Sequence, residues 1–277
     1  MRRGAIALID VLGFKGIWRR HSEEAVIRSM EALLAASQED AQLATQGIGN
    51  LTEFISPVFL SDTVAFGLAA KPLDEANAAL EASGEAELVG PFDEERLDSW
   101  TVWHMGNHLA HLMRRALVGE VPFAFRGAVA FGHFGLTDRF LIGEAVDEAA
   151  GFHERPNAAI VGLAPSAARF GQAEVPSTIS KFIRYAIPTK ASDGSWETWA
   201  VLPWGEIEDP QVDLLDLFSR TLVTEDARLR EDVDRKRENT LAFIRAANEA
   251  AQAPMRAMLQ QIAQLPLELL KHGRHDK

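Results

Sequence analysis

The sequence of 277 residues contains no cysteine. No disulfide framework and no thiolate metal centre can form, and the absence fits a reducing compartment. Positive charge is also scarce, with 28 Lys and Arg against 40 Asp and Glu and a net charge of −12. Wholesale electrostatic binding to nucleic acid or to an anionic membrane is therefore not expected. An anionic substrate would need local help from metal ions and a few placed basic residues. Long apolar runs are missing too. None approaches the roughly 18 residues of a membrane span. The run from Ala5 to Ile9, behind Arg2 and Arg3, is broken by Asp10 and is too short for a signal-peptide core. A cytoplasmic protein is expected.

What is there has the balance of a globular protein, 47% hydrophobic and 25% charged. Residues 5–11 are apolar and partly β-branched, a buried strand. Ser22 stands as an N-cap, with Glu23 and Glu24 in the first turn of an amphipathic helix. Residues 53–60 and 63–68 read as a hairpin with Ser61-Asp62 at its tip. An Ala/Glu-rich insertion follows, then a strong helix over 98–118 and a strand over 123–134, with a second arm near Phe140. Residues 143–154 form a helix ended by Pro156. Strands over 158–161, 182–188 and 198–202 complete a sheet. The β-α-β-β-α-β order is the ferredoxin-like pattern, an α+β fold with an antiparallel sheet and helices on one face. It implies no function by itself. Near Gly205 the character changes to helix, predicted over 225–251 and 255–272 with Pro254 between. Two regions are expected, 1–205 and a helical extension over 206–277.

Two carboxylates carry the chemistry. Asp10 closes an apolar strand in Leu8-Ile9-Asp10-Val11-Leu12, and Asp62 another in Phe59-Leu60-Ser61-Asp62-Thr63. A charge at a buried strand end is costly unless paired or metal-bound. In a ferredoxin-like sheet the first strand lies beside the hairpin, so the two can stand together and bridge two divalent ions. Either aspartate alone also reads as a turn residue or helix cap. Hard oxygen donors suit Mg²⁺ or Mn²⁺.

Four blocks in order resemble the class III adenylate and guanylate cyclases: Asp10-Val11-Leu12-Gly13-Phe14, Ser61-Asp62, Arg126-Gly127-Ala128-Val129-Ala130-Phe131-Gly132, and Gly143-Glu144-Ala145-Val146-Asp147-Glu148-Ala149. They span Ile6 to about Glu154. The first block, read as Ile9-Asp10-Val11-Leu12-Gly13-Phe14-Lys15, is similar to the bacterial pyrimidine cyclases of the Pycsar antiphage systems, which make cyclic CMP or cyclic UMP. The resemblance implies that Asp10, Asp62 and the backbone carbonyl of Val11 hold two Mn²⁺ or Mg²⁺ ions per site. It implies that Arg126 reaches the phosphates, that Gly13 lets the backbone approach them, and that Phe14 packs near the ribose. Plain core remains the other reading of Phe14, and a surface arginine that of Arg126. Lys190, with Lys181 as rival, is the expected phosphate lysine. A head-to-tail homodimer with composite sites is implied, Asp147 coming from the partner helix. A downstream effector would respond to the cyclic product.

The departures are specific. The family's asparagine and the arginine four residues later are Asp147 and Gly151 here; Arg139 or Arg155 could substitute for that arginine. The purine-selecting position before the second aspartate is Val58, and the aspartate before Gly143 is Phe140. These changes argue against ATP or GTP read in the usual manner and suit a pyrimidine, UTP before CTP. An adenylate cyclase with atypical base contacts and an inactive nucleotide-sensing domain stay open. His104, His108 and His111 share one helix face and read as core histidines rather than zinc ligands. Trp196, Trp199 and Trp204 read as packing.

Overall fold

A computed structural model describes residues 1–44, 50–137, 140–172, 181–190, 194–203, 214–224 and 226–263. The strands are β1 (Arg2–Val11), β2 (Thr52–Leu60), β3 (Thr63–Ala70), β4 (Phe125–Leu136), β5 (Leu141–Ile142), β6 (Val161–Leu163), β7 (Phe182–Pro188) and β8 (Ser195–Val201). The helices are α1 (Ile17–Arg20), α2 (Glu23–Ala44), α3 (Leu73–Ser83), α4 (Ala86–Val89), α5 (Glu94–Val118), α6 (Glu144–Phe152), α7 (Pro165–Ala168), α8 (Leu214–Thr221) and α9 (Arg230–Ala263). Ser22 Oγ accepts the Ala25 amide ahead of α2, and Asp93 caps α5 by accepting the Arg96 amide at 2.8 Å.

The sheet runs β2-β3-β1-β4-β6-β8-β7, with β5 paired to β4 alone. Its first four strands have the ferredoxin-like order, and β1 pairs antiparallel with both β3 and β4. One pair is parallel, β4 with β6, because α6 crosses between them and returns the chain in the same direction. The alternation of β1 divides the interior. Ala5, Ala7, Ile9 and Val11 face α2 and α5. Ile6 and Leu8 face the other way, onto Ala145, Val146 and Ala149 of α6. The expected one-face arrangement thus holds for α2 and α5, and α6 adds a cover on the second face. The Ala/Glu-rich insertion folds into α3 and α4, where Ala76, Leu80, Phe92, Leu97 and Trp100 share a small core.

The carboxy-terminal region is bound into the domain. Phe218 of α8 and Phe243, Ile244 and Ala247 of α9 are fully buried, in one core with Leu12, Ala124, Ala158, Ala159 and Ile160 from the sheet region. α8 is additional to the two expected helices, and its Leu214, Leu217 and Phe218 carry the i, i+3, i+4 spacing of a buried face. The expected break at Pro254 does not occur, since α9 continues to Ala263. Proline's fixed φ is a helical value, so a helix can run through it by giving up one hydrogen bond. The boundary near Gly205 lies outside the described residues, as does the end of the extension.

Of the α5 histidines, His104 and His108 are core residues and His111 is half-buried. His104 Nδ1 lies 3.1 Å from Thr52 Oγ1, and His108 Nε2 lies 3.1 Å from Ser37 Oγ. Burial lowers their pKa values to about 4 and about 3. The unfolded chain binds these protons first as pH falls below about 6.5. Their contribution is therefore complete above 6.5 and lost on descent toward 3, at about 1.4 kcal/mol per pH unit for each. Asp98 works in the opposite sense. Burial raises its pKa to about 6, so the folded chain retains a proton that the unfolded chain releases, and this contribution is lost as pH rises through 6. Urea unfolding at pH 7.5, 6.5 and 5.5 should show stability falling with pH, and His108→Gln should flatten that slope by about 1.4 kcal/mol per pH unit below 6.5.

Candidate active site

β1 and the β2–β3 hairpin bring the two aspartates together. Asp10 pairs across the sheet with Thr63, and the Val11 amide donates to the backbone oxygen of Asp62 at 2.9 Å. The hairpin tip is thereby fastened one residue beyond Asp10. Ser61, at the position where the family resemblance has glycine, takes φ 64, the left-handed region that non-glycine residues rarely occupy. On its other side Asp10 pairs with Arg126, the second residue of β4.

Arg126 makes the dominant contact. Its Nε and Nη2 donate to Asp10 Oδ2 at 3.0 and 2.7 Å. Its Nη1 donates to the carbonyls of Glu154 and Pro156 at 3.3 and 3.4 Å. The side chains of this pair are only 9% and 11% exposed. Burial pushes the Asp10 carboxyl above its ordinary pKa. Arg126 pulls it back through hydrogen bond and charge, and Asp62 adds to the upward push. Its fork is taken up by Asp10 and the strap that follows α6, so Arg126 is a buried residue and not the surface arginine of the alternative reading.

The same strap gathers more charge. Lys190 Nζ lies 3.1 Å from Glu154 Oε2, and this contact holds the Glu154 carboxyl below the usual range. His153 donates from Nδ1 to the Ala150 carbonyl at 2.9 Å. Lys190 therefore stands on the Arg126 side of the sheet. Lys181, its rival, is buried against Trp103 of α5 on the opposite face. Sequence reasoning passed over Glu154 as a participant and the 154–156 carbonyls entirely, because backbone acceptors leave no signature in residue type.

The remaining expected residues are placed as follows. Gly13 has φ 76, and a Cβ there would meet nothing nearer than the Arg20 Nη2 at 3.9 Å, so its backbone conformation, not crowding, calls for glycine. Phe14 is half-buried against the α5-face core and meets Trp18 edge-on at 5.5 Å. Asp147 and Gly151 are exposed on α6. Arg155 is tied to the end of α6, donating to the Gly151 carbonyl at 3.0 Å and lying over the Phe152 ring; Arg139 lies outside the described residues. Trp196 packs on Phe152, and Trp204 is outside the described residues.

The donors suit hard divalent cations in kind. Asp10 Oδ1 and the Asp62 carboxylate accept no hydrogen bond among the described residues, and both are oxygen. They are few in number, as no three Asp, Glu or His side chains converge among the described residues. One or two carboxylates completed by substrate phosphates is the usual provision for Mg²⁺.

No family model matches the chain, and no curated protein matches it. Among solved structures it is similar to the guanylate cyclase domain of RhGC from Catenaria anguillulae in complex with GTP (13% identity, 73% of this chain and 98% of that one, TM-score 0.44). It is also similar to the dimeric guanylyl cyclase domain of RhoGC from Blastocladiella emersonii (15% identity, 73% and 97%, TM-score 0.46). A bacterial light-regulated adenylyl cyclase shares 14% identity over 80% of this chain and 98% of that one, with a TM-score of 0.34. No helix among the described residues is long and apolar enough to cross a membrane.

Removing Arg126 should leave a buried carboxylate without its counter-charge. Arg126→Ala is expected to cost about 3 kcal/mol in urea unfolding at pH 7, and the double variant with Asp10→Ala to recover a measurable part of that loss.

Proposed function

We propose that this chain is a nucleotidyl cyclase that converts a pyrimidine nucleoside triphosphate, UTP before CTP, to its 3′,5′-cyclic monophosphate and pyrophosphate. The observation that carries the reading is the pair of aspartates on adjoining strand ends, one carboxylate without a hydrogen-bond donor among the described residues and the other half-filled by Arg126. In the reaction the ribose 3′-oxygen attacks the α-phosphorus, the bond to the β-phosphate oxygen breaks, and the 3′-hydroxyl proton is lost. Asp10, Asp62 and the Val11 carbonyl would hold two Mn²⁺ or Mg²⁺ ions, which supply activation of the 3′-hydroxyl and charge neutralisation at the phosphates. Arg126 and Lys190 provide the chain's own positive charge on that side, and each is held by a carboxylate that a triphosphate can replace. Gly13 shapes the turn after β1. Val58 at the base-reading position, half-buried and apolar, supports a smaller base than a purine.

Asp147 on the exposed side of α6 supports the composite homodimer, its carboxylate serving the partner's nucleotide. A cyclic pyrimidine made this way would act on a separate effector, and the first sequence block supports a role in antiphage signalling in the cytoplasm. A second reading is an inactive cyclase-like domain that senses nucleotide. The occupied fork of Arg126 and the glycine at position 151 favour it.

Full-length protein with Mn²⁺ and, separately, ATP, GTP, CTP and UTP, with products resolved by mass, decides between them. Cyclic UMP, or cyclic CMP, is expected, reduced at least about 100-fold by Asp10→Ala or Asp62→Ala. A cyclic purine would overturn the base assignment, and no product from any of the four would favour the sensing domain.

A further inference from the structure

We infer that helix α9 positions Arg126 over Asp10, with Thr240 and Asn239 as positioning residues acting through the strap of residues 154–160. The cation site itself rests on the reading proposed above. The chain of contacts is continuous. Thr240 is fully buried; its hydroxyl donates to the Lys236 carbonyl at 2.7 Å and accepts the Ala159 amide at 2.8 Å. The preceding residue, Asn239, donates from Nδ2 to the Asn157 carbonyl at 3.0 Å. Asn157 is buried, and its amide donates to the Pro188 carbonyl at 2.7 Å. On the near side of Asn157 stand the two carbonyls, of Glu154 and Pro156, that receive Arg126 Nη1. On the far side the Ile160 carbonyl accepts the amide of Gly127, the residue after Arg126. The strap thus touches Arg126 by side chain and by its neighbour's backbone, and α9 fixes the strap between those two points.

The consequence concerns competition for one carboxylate. With its Nη1 anchored on the strap, the guanidinium directs Nε and Nη2 at Asp10 Oδ2. A divalent cation on Asp10 Oδ1 meets the guanidinium's charge beside it, and one that takes Oδ2 as well must displace that contact. If the strap loosens, the guanidinium loses its anchors and guards Asp10 less well. α8 holds the other flank, where Arg20 Nη1 donates to the Val223 carbonyl at 3.2 Å and Leu12 is buried in the same core as Phe218 and Leu222. The carboxy-terminal helices therefore grip both chain segments that border the aspartate pair. Release of α9 would open the cation site.

The test uses the full chain without nucleotide. Mn²⁺ affinity is measured by electron paramagnetic resonance, and hydrogen exchange of the Arg126 Nε–H by NMR, with melting followed in parallel. Thr240→Val keeps the shape and removes the acceptor. It should tighten Mn²⁺ binding roughly three- to tenfold, the worth of one net hydrogen bond, and speed the exchange. Asn239→Ala, half-exposed and therefore tolerant, should act in the same direction, and Thr240→Ser should behave as wild type. Lower melting with unchanged Mn²⁺ affinity and unchanged exchange in both Thr240→Val and Asn239→Ala would overturn the proposal, leaving α9 a structural brace. Asp10→Asn separates the two readings. If Mn²⁺ binding survives that change, or is absent from wild type, the cation site fails and the Arg126 exchange alone decides whether α9 positions it.

Discussion

A carboxylate and a guanidinium buried together at the ends of neighbouring strands cost several kcal/mol each to desolvate, and their attraction repays this only with good geometry and extra hydrogen bonds. Asp10 and Arg126 meet that condition by recruiting main chain. The fork gives two donors to one carboxylate oxygen and the third nitrogen to two carbonyls of the strap. Because those carbonyls must be held still, the strap is pinned by β7 through Asn157 and by α9 through Thr240 and Asn239. The ion pair thus sets demands on segments far apart in sequence, from residue 10 to residue 240.

Its opposite pole is at the start of the same strand. Arg3 Nη2 contacts Asp98 Oδ2 at 2.5 Å, which ties β1 to the first turns of α5. A second ion pair at that end fixes the strand between two charged anchors with an apolar middle, Gly4 to Ile9, wholly buried. The functional end differs in having carboxylate oxygens to spare. Desolvation raises the Asp10 pKa, Arg126 offsets part of that rise, and the neighbouring Asp62 charge adds to it.

Most elements are legible from pattern: the apolar, partly β-branched run over residues 5–11, the Ser22 cap, the hairpin around Ser61-Asp62 and the 98–118 helix all appear close to their expected places. So did the aspartate pair, because carboxylates ending apolar runs are conspicuous. What was not legible depends on through-space partners. Nothing near Arg126 in sequence discloses that Asp10 fills its fork, and nothing near Thr240 that its hydroxyl serves an amide 81 residues away. Two backbone effects also escaped pattern reading. Pro254 leaves its helix unbroken, and α8 spans only the eight residues Leu214–Thr221, so its apolar spacing covers little more than two turns. The apolar stripes of the carboxy-terminal helices suit docking on the domain or on a dimer partner; what the pattern leaves open is the contact itself, in which Phe218, Phe243 and Ile244 share a core with Leu12 and Ile160.

The central claim is that Asp10 and Asp62 form one divalent-cation site for a nucleoside triphosphate. The most direct measurement is anomalous diffraction at the manganese edge, from crystals grown with Mn²⁺ and a non-cyclisable UTP analogue. The account predicts manganese peaks shared by the Asp10 and Asp62 carboxylates, with the Arg126 guanidinium turned from Asp10 to the triphosphate. Manganese bound elsewhere, or nucleotide bound with Arg126 still closed on Asp10, would contradict it.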